Sequence, residues 1–196
     1  LREILFVDEN VENYQDLLSR LERNVEIHII DGHSDGIEQI SAILAERRNI
    51  DAVHLLSHGD SALIKIGSTN LTPENINSYN GFLHNWSASL SDSADILIYG
   101  CNVGQDSAFI AEISRLTQAD VAASDDLTGA PSLGADAILE VENGLVETDE
   151  IFSEQSFQSV QVSLSAQVNR TPSLDAVNGG VYASAGNLNL QIGPDK

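Results

Sequence analysis

A single cysteine, Cys101, stands in 196 residues. One thiol cannot form an internal disulfide, so nothing in the chain is stapled. Basic residues are scarce too: 9 Lys and Arg face 30 Asp and Glu, for a net charge of -21. Such a surface repels polyanions, so neither nucleic acid nor an anionic membrane surface is expected as a partner. No apolar run approaches the roughly 20 residues that span a bilayer, so membrane insertion is not expected either. No G-x-G-x-x-G follows the first strand-like run, where "VDENVE" stands instead, and this removes a dinucleotide site. EF-hand loops, nonapeptide repeats and other internal repeats are also missing. The chain opens with Leu1-Arg2 directly before a strand-like run. It reads as a fragment of a longer protein whose targeting signal lies elsewhere.

What is present is ordinary core material. Hydrophobic residues make up 42% of the chain, enough for one domain with a real core. "EILFV", "VEIHII", "DAVHLLSHGD", "DILIYGCNVG" and "ADVAAS" are strand-like, and several are apolar without interruption, as in strands buried on both faces of a parallel sheet. Between them, "VENYQDLLSRLER", "DGIEQISAILAER", "PENINSYNGFLHNWSASL" and "DSAFIAEISRLTQ" space their apolar residues as helices do. Pro73 is expected in the first turn of the third of these. "ALIKIG" and "TNLT" read as a short hairpin or a loop insertion. Alternation of strand and helix predicts an α/β fold with a mainly parallel central sheet. Beyond Asp126 the pattern changes. "AILEVENGLVE" alternates around Asn143-Gly144, a hairpin signal. Residues 1–150 are read as the α/β domain, 151–166 as an added strand or extension, and 167–196 as a linker or the start of a following module.

In open parallel sheets, sites form at the carboxyl ends of strands. Two such ends carry chemistry. "VHLLSHG" puts His58 just past the third strand, and "LIYGC" puts Cys101 just past the fourth. A lone cysteine after an apolar run is commonly a small buried residue. The pairing with His58 argues for more. A thiol with an ordinary pKa is mostly protonated at neutral pH and needs a base beside it to act as a nucleophile. Gly59 and Gly100 allow close backbone approach, so the N–H groups of Gly59 and Cys101 are the candidates for holding an oxyanion. The other histidines are weaker candidates. His28 and His54 lie inside strand-like runs, and His84 lies on a helix face. His33, in "DGHSDG", could ligate a metal but has no partner at a standard spacing.

The two strand ends resemble the clan of cysteine peptidases that includes caspases, legumains, gingipains, clostripain and separases. There, too, a hydrophobic strand ends in His-Gly and a later one ends in a small residue followed by Cys. "VDENVENYQDLL", "DGIEQISAIL", "HLLSHG", "ILIYGCNVG" and "ADVAASDDLTG" resemble more closely a bacterial family of unknown function. That family is found near the front of large secreted adhesin-like and calcium-binding-repeat proteins. The likeness spans roughly residues 3 to 147, and it departs from the family at "LGADAILE". It implies a caspase-like three-layer α/β/α sandwich with a Cys101–His58 dyad.

It also implies a specificity pocket bounded by the ends of the first and fifth strands and by the segment before the cysteine. Those positions are Asp8, Asp125, Asp126 and Tyr99. Carboxylates there would select a basic residue before the cut. The expected function is therefore a cysteine endopeptidase acting on a polypeptide, its own parent chain or a co-exported protein. Arg170 is the expected self-cleavage point. No cofactor is required, with calcium a candidate ion, and the setting is secreted or cell-surface. The competing expectation is a non-catalytic adhesion or export module that retains the dyad as a relic.

Overall fold

The computed structural model describes residues 1–166 except 22, 159 and 161, and beyond them the backbone of three strands between 173 and 192. Two compact units result, Leu1–Ser165 and Ala166–Lys196. In the second, β10 (Ser173–Val177), β11 (Gly180–Ala185) and β12 (Leu188–Ile192) form an antiparallel three-stranded sheet.

The first unit is built on a six-stranded sheet. Its strands are β1 (Glu3–Asp8), β2 (Glu26–Ile30), β3 (Ile50–Leu56), β7 (Leu90–Tyr99), β8 (Asp120–Ala123) and β9 (Val141–Asn143). The spatial order is β2-β1-β3-β7-β8-β9, parallel throughout except for β9 at the edge. A separate small antiparallel sheet follows β3, made of β4 (His58–Asp60), β5 (Leu63–Ile66) and β6 (Thr69–Leu71).

Alternate residues of β1 explain why the central strands are apolar without interruption. Ile4 and Phe6 enter one core, and Leu5 and Val7 enter the other. The first core is covered by α2 (Gly36–Ala45), α3 (Asn80–Trp86) and α4 (Ser107–Thr117), through Ile37, Leu83 and Phe109 among others. The second is covered by α1 (Tyr14–Leu18) and α5 (Glu154–Gln158), through Leu17 and Phe157. The fold is thus mixed α/β, with a mainly parallel sheet flanked by helices.

Local chemistry shortens some expected elements. α1 begins only at Tyr14, because Asn13 takes a left-handed conformation with φ 57°. The third expected helix does not start at Pro73. The Asn75 side chain accepts from the Thr72 amide at 2.8 Å and donates to the Asn70 carbonyl at 2.7 Å. That local bonding competes with helix, so a turn and a 3₁₀ segment (Ile76–Tyr79) precede α3. Asn143-Gly144 does not close a hairpin, since β9 pairs with β8 instead. The stretch read as an added strand divides in two. Its first half is α5, and Val162–Ser165 is extended, with single bridges at Ser163 and Ser165.

The carboxyl ends of the central strands are in step. Val7 pairs with Leu56, and Leu56 with Tyr99. Asp8, His58 and Cys101 therefore leave the sheet at one edge. The strand order reverses between β1 and β3, with α1 and α2 on opposite faces, and a crevice opens outside the carboxyl ends at such a point.

Candidate functional site

His58 is 4% exposed and is held by its backbone in β4. Its Nε2 lies 3.3 Å from the Asn10 carbonyl. A carbonyl only accepts, so Nε2–H is the donor in this contact. His58 Nδ1 is buried and has no hydrogen-bond partner among the described residues. Asp8 is close by. Its Oδ1 accepts from the Asn10 amide at 3.0 Å and from Asn10 Nδ2 at 2.9 Å. Its Oδ2 is buried and has no hydrogen-bond partner among the described residues. Burial pushes the Asp8 carboxyl up, against the Asn10 hydrogen bonds and the attraction of His58.

Cys101 is fully buried. Its Sγ accepts from the Thr128 amide at 3.2 Å and donates to the Thr128 carbonyl at 3.4 Å, with Ser163 Oγ at 3.8 Å. Neither nitrogen of His58 is hydrogen-bonded to the thiol. Burial pushes the Cys101 thiol up. Hydrogen bonds from Thr128, Ser163 and Leu164 favour the thiolate but do not outweigh it. Cys101 therefore lies at the same strand edge as His58, with its thiol held above the ordinary range.

The two backbone donors do converge. The Gly59 amide donates to the Leu164 carbonyl at 2.8 Å, and the Cys101 amide donates to the same oxygen at 3.3 Å. The glycines make this convergence possible. A Cβ on Gly59 would stand 2.7 Å from the Cys101 carbonyl, 2.8 Å from the Gly100 carbonyl carbon and 2.5 Å from Val103 Cγ2. Two of those atoms are backbone and cannot swing aside. Gly59→Ala is expected to cost about 1–3 kcal/mol. Gly81→Ala is the control: it sits within α3 with nothing inside 4 Å, and it should stabilise slightly. Urea unfolding midpoints compare the two, and equal midpoints would remove the close-approach argument.

The expected acidic pocket does not assemble. Asp8 ends β1, and Asp125 and Asp126 follow β8, three strand spacings away, or roughly 14 Å. Asp125 and Asp126 are exposed. Asp126 serves mainly through its backbone, its carbonyl accepting from Asn102 N at 2.7 Å. Tyr99 is also misplaced by the pocket reading. It is fully buried, its hydroxyl accepts from the Ile151 amide at 3.0 Å, and its ring lies edge-on to Phe152. It supports the floor of the site from the core. Arg170 lies outside the described residues. Sequence reasoning missed the carbonyl of Asn10 and the segment 162–165. Only the alternation of Val160, Val162 and Leu164 hinted at the latter, and all three are buried.

Among the described residues, two sets of side chains bring metal-ligating atoms within 4.8 Å of one another: Glu9, Asp31 and His33, and Asp126, Asp136 and Glu140. In the first, Asp31 is already occupied by the His33 amide at 3.0 Å and Ser34 Oγ at 2.7 Å. In the second, desolvation and the Asp136 charge push the Asp126 carboxyl up. A surface depression of about 630 Å³ lies at the opposite edge of the sheet, lined by Arg2, Glu3, Val25, Arg47 and Ile50 among others. It is lined by no cysteine or histidine, whereas the other end of the sheet carries Cys101 and His58. Among the described residues, no helix is long and apolar enough to cross a membrane.

A family model described as "Domain of unknown function (DUF4347)" matches residues 4–164. No curated protein matches the chain.

Proposed function

Since the chain belongs to this family of unknown function, we propose from its site chemistry that it is a cysteine endopeptidase of the caspase-like type, acting on polypeptide and first on its own chain. The observation that supports this most is the convergence of the Gly59 and Cys101 amides on one peptide carbonyl, next to the thiol of Cys101. Two aligned backbone donors at a strand edge stabilise the charge that develops on a carbonyl oxygen under nucleophilic attack. His58 supplies the base through Nδ1, which has no hydrogen-bond partner among the described residues. Asp8 is a positioning residue in this reading. Its carboxyl lies close enough to His58 for the two to attract each other, which keeps the imidazole beside β1.

The -21 charge suits a secreted or cell-surface setting within a larger protein. A calcium ion in this reading belongs at Asp126, Asp136 and Glu140, where it would relieve like-charge repulsion beside the Thr128 loop.

The test is incubation of the 196-residue chain, with and without calcium, beside Cys101→Ala and His58→Ala. Each variant's melt is recorded to show that it folds. Loss of either group should slow peptide-bond cleavage by about 100-fold or more. No cleavage of the chain, and none of peptides ending in Arg, Lys, Asp or Leu, would leave the non-catalytic module as the better reading.

A further inference from the structure

Val162–Ser165 lies in the site as a peptide substrate would. The Ala130 amide donates to the Val162 carbonyl at 2.8 Å, and the Leu164 amide donates to the Thr128 carbonyl at 3.0 Å. Ser163 bridges antiparallel to Gly129, and Ser165 bridges parallel to Gly59. An extended strand is thus gripped on both sides, by the loop after β8 and by β4. Its Leu164 carbonyl oxygen takes both candidate oxyanion donors. Its Leu164 side chain is fully buried, in one apolar cluster with Val11, Leu56, Tyr99 and Cys101. The neighbouring Ser163 Oγ is 3.8 Å from Sγ. Gly129 is shaped for this guest: its φ is +148°, and a Cβ there would stand 2.3 Å from the Val162 carbonyl oxygen.

We propose that Leu164–Ser165 is the bond this chain cuts in itself, and that the pocket before the cut takes a medium-sized apolar side chain rather than a basic one. This rests on the peptidase reading above and adds the bond and the specificity. The thiol proton passes to His58 Nδ1, and Sγ bonds to the Leu164 carbonyl carbon. The C–N bond to Ser165 then breaks, and the Ser165 amine takes the proton from His58. A thioester between Cys101 and Leu164 remains. Water adds to it with His58 as base, the C–S bond breaks, and Leu164 ends as a carboxylic acid with the thiol restored. One water is consumed and nothing is oxidised or reduced. The raised thiol and the missing His58–Cys101 hydrogen bond mark the structure as the state before this sequence begins.

Intact mass and N-terminal sequencing of the incubated 196-residue chain test the bond. The expected result is a new terminus at Ser165, formed at a first-order rate that does not change over a tenfold range of chain concentration. Cys101→Ala and Leu164→Asp should each slow it at least 100-fold, while Leu164→Met, which keeps the size and apolarity, should stay within about tenfold of the parent. A Cys101-dependent cut at any other bond, Arg170 included, would overturn the bond assignment and leave the peptidase reading standing. The same holds if no cut forms while a Leu-ended peptidyl chloromethyl ketone still labels Cys101; the segment would then be an inhibitory strand. The label is offered to Gly129→Ala as well, where the added Cβ collides with the Val162 carbonyl and should displace the segment. Neither a cut nor labelling, in both chains, would sink the bond assignment and the peptidase reading together.

Discussion

Iodoacetamide will alkylate Cys101 in the intact chain at least about 100-fold more slowly than it alkylates free cysteine near pH 7.5. Two independent effects set this direction. The thiol is fully buried, so the reagent must wait for a local opening. Its ionisation is also pushed up by burial, so the thiolate is rarer than in a free thiol. Each tenfold loss corresponds to about 1.4 kcal/mol, so the expected protection asks for about 2.7 kcal/mol of opening and ionisation cost together. That is well within the cost of freeing a segment that holds Leu164 and Val162 in the core. Timed quenching and mass spectrometry measure the rate, with the urea-unfolded chain giving the unprotected value. Gly129→Ala should raise the rate at least tenfold, because a Cβ there collides with the Val162 carbonyl. A fast-reacting Cys101 in the unaltered chain would mean that the strand over the thiol is not in place in solution. An activated thiolate at rest, the usual expectation for a cysteine nucleophile, is thus not what this environment favours.

Acidification should destabilise the fold between about pH 6.5 and pH 4, and His54 should be the main cause. His54 is fully buried, and burial drops its pKa from 6.5 to about 4 despite the Glu3 carboxylate at 2.9 Å. The folded pKa is below the unfolded one, so the unfolded chain binds the extra proton first. The stabilisation is complete above pH 6.5 and is lost as the pH falls towards 4. A shift of that size is worth about 3 kcal/mol. Asp8 acts the other way: its raised carboxyl becomes less costly as the solution is acidified towards the ordinary carboxylate range. The lowered carboxyls of Glu26, Asp31 and Asp35 act in the same direction as His54, but further into acid. Guanidinium unfolding at a series of pH values reads the slope. His54→Gln should flatten it between pH 6.5 and 4, and an unchanged slope would move the acid sensitivity elsewhere.

The strands and the edge were legible because their causes are local. "EILFV" and "ILIY" are apolar at every position, and only a strand with two covered faces asks for that. The sequence adjacency of His58 to Gly59 and of Gly100 to Cys101 then placed the candidate groups just past strand ends. The pocket was not legible, since it depends on which strands are neighbours. Asp8 and Asp125 look like partners until two strands are found between them. Tyr99 ends an apolar run whether it lines a cavity or supports one from below, so its role is decided by Ile151 and Phe152, some fifty residues on. The strand over the thiol is the same kind of miss. Leu164 meets Gly59 and Cys101 across long loops, and no local pattern encodes that meeting.

Leu164 lies on the side of the bond that stays with the domain, anchored through the buried side chains of Phe157 and Val160. If Leu164–Ser165 is cut as proposed, whatever leaves would begin at Ser165, and the new carboxylate would remain tied beside the Cys101 thiol. A tether of that length keeps it at an effective concentration on the order of millimolar. Each molecule would then cut its own chain once, and its tethered product would compete with any further polypeptide for the site. The yield of cleavage would count molecules rather than minutes, as a fuse does, and the amount of released C-terminal chain would equal the amount of domain synthesised.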